Sequence, residues 1–72
     1  MGLIRIPERI LPAALRGIGR QGYGVWADDA RGVWELRFGA EDLIAVVRYG
    51  TTPDDVVGGF RRAIREHQRQ RV

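Results

Sequence analysis

The chain has 72 residues, a formal net charge of +3 and a composition 44% hydrophobic and 29% charged, which suits one small folded domain and excludes a second domain or a disordered tail. Cysteine, serine, asparagine and lysine are absent and His67 is the sole histidine, so a disulfide framework, a Ser or Cys catalytic triad and a zinc finger are excluded. A core of this size rarely supplies more than about 3 to 5 kcal/mol, so the chain must pack well, bind something or oligomerise.

Ile10, Leu11, Ala14, Leu15 and Ile18 recur at helical spacing, with Arg9, Arg16 and Arg20 off that stripe, and predict an amphipathic helix near the N-terminus. Pro12 would clash with the carbonyl of Glu8 inside a regular helix, so the helix either starts near Pro12 or follows a separate turn around Pro7. Gly17, Gly19 and Gly22 crowd its end, where left-handed caps favour glycine.

From Tyr23 the period changes to two. Tyr23, Val25 and Ala27 alternate with Gly24, Trp26 and Asp28; after the turn-forming run Asp28–Gly32, Trp34, Leu36 and Phe38 alternate with Val33, Glu35 and Arg37. This pattern predicts a hairpin. A second turn at 39–42 leads to a third strand, Leu43 to Tyr49, rich in β-branched residues, and the short links favour an antiparallel meander.

Thr52-Pro53-Asp54-Asp55 is the strongest local signal in the chain: a Thr N-cap, proline in the first helical turn, then acids. In the helix it opens, Val56, Phe60, Ala63, Ile64 and His67 fall on one side, and Arg61, Arg65 and Arg69 form an i, i+4, i+8 stripe on another. Gly58 and Gly59 inside it predict close backbone packing or a local break. The expected fold is therefore a single α+β domain over residues 1–72, in the order α-β-β-β-α, a three-stranded antiparallel meander with both helices on one face.

Several motifs are better explained by structure than by chemistry. Gly17-Ile18-Gly19-Arg20-Gln21-Gly22 spells the dinucleotide fingerprint, but a helix precedes it and a strand follows, the reverse of what phosphate binding requires, so a helix cap is the better reading. The doublets Asp28-Asp29 and Asp54-Asp55 would lie at one end of the meander, where a hard divalent ion could be held by oxygen ligands; turn chemistry and helix capping account for them without a metal. No partner is nominated for His67 as a general acid or base, which leaves it a packing role. No catalytic residue, metal site or cofactor is expected, and the chain is read as non-enzymatic.

All basic residues are arginine, which a codon preference explains most simply. They are unevenly placed: residues 1–22 carry a net +3, residues 23–59 a net −4, and residues 60–72 a net +4. Two basic helices are thus expected to flank an acidic sheet, and an Arg-lined helical surface can hold phosphates with strongly salt-dependent affinity. No apolar run approaches the roughly 18 residues of a membrane span, and residues 1–9 lack the apolar stretch of a signal peptide. A cytoplasmic location without a membrane partner is expected.

The expected element order is similar to that of double-stranded-RNA-binding domains and of small mRNA-cleaving toxins. The chain departs from both families. Asp54 and Asp55 stand where the RNA-binding domains carry a Lys-rich cluster, and the toxins' strand histidine is missing, so neither function carries over.

Leu43-Ile44-Ala45-Val46-Val47 is apolar at every position, so both faces of the third strand carry hydrophobic side chains while the helices cover one. Exposed apolar surface on an edge strand is a template for association, and Trp26 points opposite to Val25, toward the uncovered side. The N-terminal residues Leu3, Ile4 and Ile6 could instead shelter that strand within one chain. The leading expectation is a binding or regulatory module with a protein interface formed by Trp26, Ile44, Val46 and Tyr49, whose partner is another protein or a second copy in a homo-oligomer, a dimer foremost. The alternative is a nucleic-acid-binding module that holds phosphates with Arg61, Arg65 and Arg69.

Overall fold

Residues 2–71 are described by the computed structural model. Four strands, β1 (Leu3–Arg5), β2 (Tyr23–Asp28), β3 (Val33–Phe38) and β4 (Asp42–Arg48), pair antiparallel in the order β1-β2-β3-β4, and one helix, α1 (Pro53–Gln70), follows them. The α+β class and the antiparallel meander stand as expected from sequence. The three-strand, two-helix arrangement does not: among the described residues there is no N-terminal α-helix, and a fourth strand, β1, is added at the edge beside β2.

Between β1 and β2 the chain makes three short 3-10 turns, Glu8–Ile10, Ala13–Leu15 and Ile18–Gln21. The physical reason is the spacing of prolines and glycines. Pro7 and Pro12 each precede a turn with extended backbone, Gly17 and Gly22 bracket the last turn in left-handed conformation, and none of the intervening stretches is long enough to nucleate an α-helix. The apolar spacing still does its work, since Leu11, Leu15 and Ile18 are buried. Ile10 is 62% exposed, which a regular amphipathic helix would not have allowed. Without the N-terminal helix, the element order shared with the RNA-binding domains and toxins is lost.

The period-two reading of the sheet holds in register. Tyr23, Val25 and Ala27 stand opposite Phe38, Leu36 and Trp34, and this set faces α1, where Phe60 and Ile64 close the core with Leu11, Leu15 and Ile18. On the other face, Arg5 pairs with Trp26, Trp26 with Glu35, and Glu35 with Val46, a row crossing all four strands.

A bulge interrupts β3 and β4. Leu36 stands opposite Ala45 and Arg37 opposite Leu43, so Ile44 is the inserted residue, and its side chain joins Ala45 against the helix-side core. Among the described residues the apolar part of the uncovered face of β4 is therefore Leu43 and Val46, which are 48% and 42% exposed, with Arg48 beyond them.

The start of α1 matches its signal. Thr52 Oγ1 accepts a hydrogen bond from the Asp55 N–H at 3.3 Å, with Pro53 in the first turn and acids at 54 and 55. Gly58 and Gly59 produce neither a break nor a close approach. The helix runs through them, and a Cβ built at either position meets nothing within 4 Å. No helix among the described residues is long and apolar enough to cross a membrane.

Candidate functional site

The chain's two basic ends meet. The 3-10 turns lie beside α1, and between them runs a cleft of about 490 Å³ whose rim carries Arg16 and Arg20 from the first segment and Arg61 and Arg65 from the helix. Local structure sets each side chain. Arg61 and Arg65 are one helical turn apart on α1 and so project together. Arg16 follows the second 3-10 turn, and its Nε–H donates to the Leu11 carbonyl at 3.2 Å, which fixes the stem while part of the guanidinium stays available. Arg20 sits in the last 3-10 turn, held between the left-handed glycines 17 and 22.

Ala14, Ile18 and Ile64 form an apolar floor, and Gln21 and Gln68 line the cleft as well, joined by a hydrogen bond from Gln68 Nε2 to Gln21 Oε1 of 3.0 Å. No carboxylate is among the lining residues. One carboxylate stands close by, Glu8, its Oε2 accepting the Gly19 N–H at 2.7 Å beside the lining residues Ile18 and Arg20; four arginines around one cleft still leave a positive balance that attracts phosphate or carboxylate groups, which arginine can grip bidentately.

The predicted arginine stripe is thus only partly assembled here. Arg61 and Arg65 line the cleft, whereas Arg69 does not and lies 3.5 Å from Glu66 in an exposed i, i+3 pair. Arg16, Arg20, Gln21 and Gln68 were missed as site residues. The signal that pointed to the two arginines was the charge asymmetry, a net +3 at one end and +4 at the other, whereas nothing in the sequence marked the glutamines, and the convergence of all four depends on how the ends fold together.

The predicted protein-interface residues divide between the two faces. Trp26 and Val46 share the open face, in one cross-strand row with Glu35 between them. Ile44 packs into the core on the helix side, displaced there by the bulge. Tyr49 stacks on Trp34 with ring centroids 4.5 Å apart and donates its hydroxyl to Asp29 Oδ1 at 2.6 Å. That hydrogen bond, with burial and the Asp28 and Asp29 charges adding to it, raises the Tyr49 pKa from 10.0 to about 12.

On the open face Trp26 lies across Gly24, so close that a Cβ there would stand 2.9 Å from Trp26 Cζ3. The Arg5 and Arg37 guanidiniums lie 5.1 and 6.0 Å from its ring centroid. This polar lattice separates Leu43 and Val46 on β4 from Leu3 on β1.

The remaining candidates are accounted for by structure. The glycine-rich segment 17–22 caps a 3-10 turn and leads into β2. Asp28 receives the Arg31 backbone N–H, Asp29 holds Tyr49, and Asp54 and Asp55 occupy the first turn of α1; among the described residues no three His, Cys, Asp or Glu side chains gather as a metal site. His67 Nδ1 and Tyr23 Oη share a hydrogen bond of 2.6 Å, with the Phe38 ring against the imidazole, a polar partner that the sequence did not nominate. No protein-family model, no curated protein and no solved structure matches the chain.

Proposed function

We propose that this chain is a non-enzymatic module that binds nucleic acid, gripping the phosphate backbone in the cleft between the 3-10 turns and α1. One observation carries the reading: Arg16, Arg20, Arg61 and Arg65 converge from opposite ends of the sequence on a cleft with no carboxylate in its lining. Held phosphates release counterions, so affinity must fall steeply with salt. The test is a salt titration of oligonucleotide binding, followed by fluorescence anisotropy. Wild type is expected to bind at low salt, and Arg61→Ala with Arg65→Ala to weaken binding and flatten the slope of log K against log salt by about 1 to 2, close to one for each phosphate no longer neutralised. No retention of DNA or RNA at low salt would end this reading.

A second reading, a protein interface on the open sheet face that joins two copies of the chain, is favoured by the exposure of Leu43 and Val46 side by side on an edge strand. It ranks below the first because the apolar patch is narrow, and Arg5, Arg31 and Arg37 around Glu35 leave the face with a positive balance that a second copy would repeat. Sedimentation equilibrium of wild type beside Leu43→Asp, Val46→Asp tests it: a dimer lost in the variant supports the interface, and a monomer in both removes it.

A further inference from the structure

We infer that the cleft accepts one unstacked nucleobase as well as phosphates, so that its ligand is a single strand of nucleic acid; this rests on the phosphate-binding reading above. Three features of the cleft go beyond what phosphate capture needs. Its volume of about 490 Å³, in a groove open to solvent, is of the size that small-molecule sites offer, roughly 300 to 1,000 Å³. Its apolar lining, Ala14 with the largely buried Ile18 and Ile64, is a surface suited to the face of an aromatic ring and of no use to a phosphate.

The third feature is the glutamine pair. The hydrogen bond from Gln68 Nε2 to Gln21 Oε1 leaves the Gln21 amide N–H groups as donors and the Gln68 Oε1 as an acceptor. Amide donors and an acceptor together are the groups that a base edge, such as that of adenine, can pair with. The arginines at the rim add planar guanidiniums that stack on bases while they hold the backbone. In a duplex the base faces are stacked and their edges paired, so a base reaches this floor only when it leaves the stack. A single strand supplies such a base at no cost in unpairing.

The test compares four fluorescently traced ligands at one salt concentration: a 12-nucleotide single strand in RNA and in DNA form, the duplex of the same sequence, and inorganic polyphosphate of matched charge. The single strand is expected to bind roughly tenfold or more tightly than polyphosphate, the gain expected from stacking one base, and more tightly than the duplex; the tighter of the two sugars names the source. Ala14→Leu, which fills the floor and changes no charge, is expected to bring the strand to within about twofold of polyphosphate. Gln21→Ala with Gln68→Ala is expected to weaken the strand about threefold to tenfold, leaving its salt slope and polyphosphate binding unchanged.

Equal binding of strand and polyphosphate by the wild type would overturn the base site while leaving phosphate binding intact. A duplex bound as tightly as the strand, or Ala14→Leu retaining full preference for the strand, would overturn it too. Failure of every anionic ligand to bind would remove the phosphate reading itself.

Discussion

Glu35 and Arg37, neighbours on the same face of β3, form a clamp on the side of the sheet that no helix covers. Arg37 Nη2 lies 2.7 Å from Glu35 Oε1 and Arg37 Nε–H donates to the same oxygen at 2.8 Å, while Arg37 Nη1 reaches the Ala40 carbonyl at 2.8 Å. Glu35 is 1% exposed, and Arg31 approaches its second oxygen at 3.3 Å. A carboxylate this sheltered is tolerable because each oxygen has a cationic donor. Arg37→Ala should therefore destabilise the fold by about 3 kcal/mol, as removal of one partner of a buried pair does, and Glu35→Leu with Arg37→Met should recover much of that loss. Urea unfolding of both variants measures it; an Arg37→Ala midpoint equal to wild type would show that Arg31 alone suffices.

Gly58 and Gly59 are the clearest sites for stabilisation. Both lie inside α1 with helical backbone, and a Cβ at either meets nothing within 4 Å. Alanine removes backbone freedom from the unfolded chain without a clash, so Gly58→Ala and Gly59→Ala should each add about 0.5 to 1 kcal/mol. Thermal melts should rise for each variant and further for the pair.

Gly22 should respond in the opposite direction. Its φ is +95°, and a Cβ there would stand 2.7 Å from Phe38 Cε1, on a ring that packs against Tyr23 and His67. The left-handed backbone alone costs an alanine about 1 to 2 kcal/mol, and displacing Phe38 adds to it. Gly22→Ala should lower the denaturant midpoint well below that of Gly58→Ala, and near-ultraviolet circular dichroism should report the altered aromatic cluster.

Tyr49 gives the fold a dependence on alkaline pH. Its pKa is raised to about 12 chiefly by the hydrogen bond its hydroxyl donates to Asp29. Because the folded pKa lies above the unfolded value, the protonated hydroxyl contributes stability that is fully present below about pH 10 and is lost as pH rises toward 12. Asp29→Asn removes the carboxylate and should bring one of the two tyrosine titrations down toward 10, read by absorbance at alkaline pH, whereas Tyr49→Phe should remove that titration altogether.

β2, β3, β4 and the start of α1 were legible because their signals are local, whereas β1 was not expected as a strand. Tyr23 to Phe38 alternate with the pleat, and Thr52-Pro53-Asp54-Asp55 satisfies a helix start within one turn. For the N-terminal third the signal was ambiguous: Leu11, Leu15 and Ile18 have helical spacing, yet a ladder of proline- and glycine-bounded 3-10 turns buries the same three side chains. The candidate site was half legible, since Arg61 and Arg65 follow from the helical period, while the bulge that turned Ile44 into the core followed from the pairing of β3 with β4.

Sequence alone determined the three strands from Tyr23 to Arg48, the helix that opens at Thr52, and that the positive charge collects at the two ends, because propensity, periodicity and charge are properties of neighbouring residues. Tertiary structure alone decided that β1 pairs with β2, that Trp26 lies flat between Arg5 and Arg37, and that Arg16 and Arg20 stand beside Arg61 and Arg65. Those relationships join residues far apart in the chain, and closing the loops between them is driven by burial of the shared core rather than by any local preference.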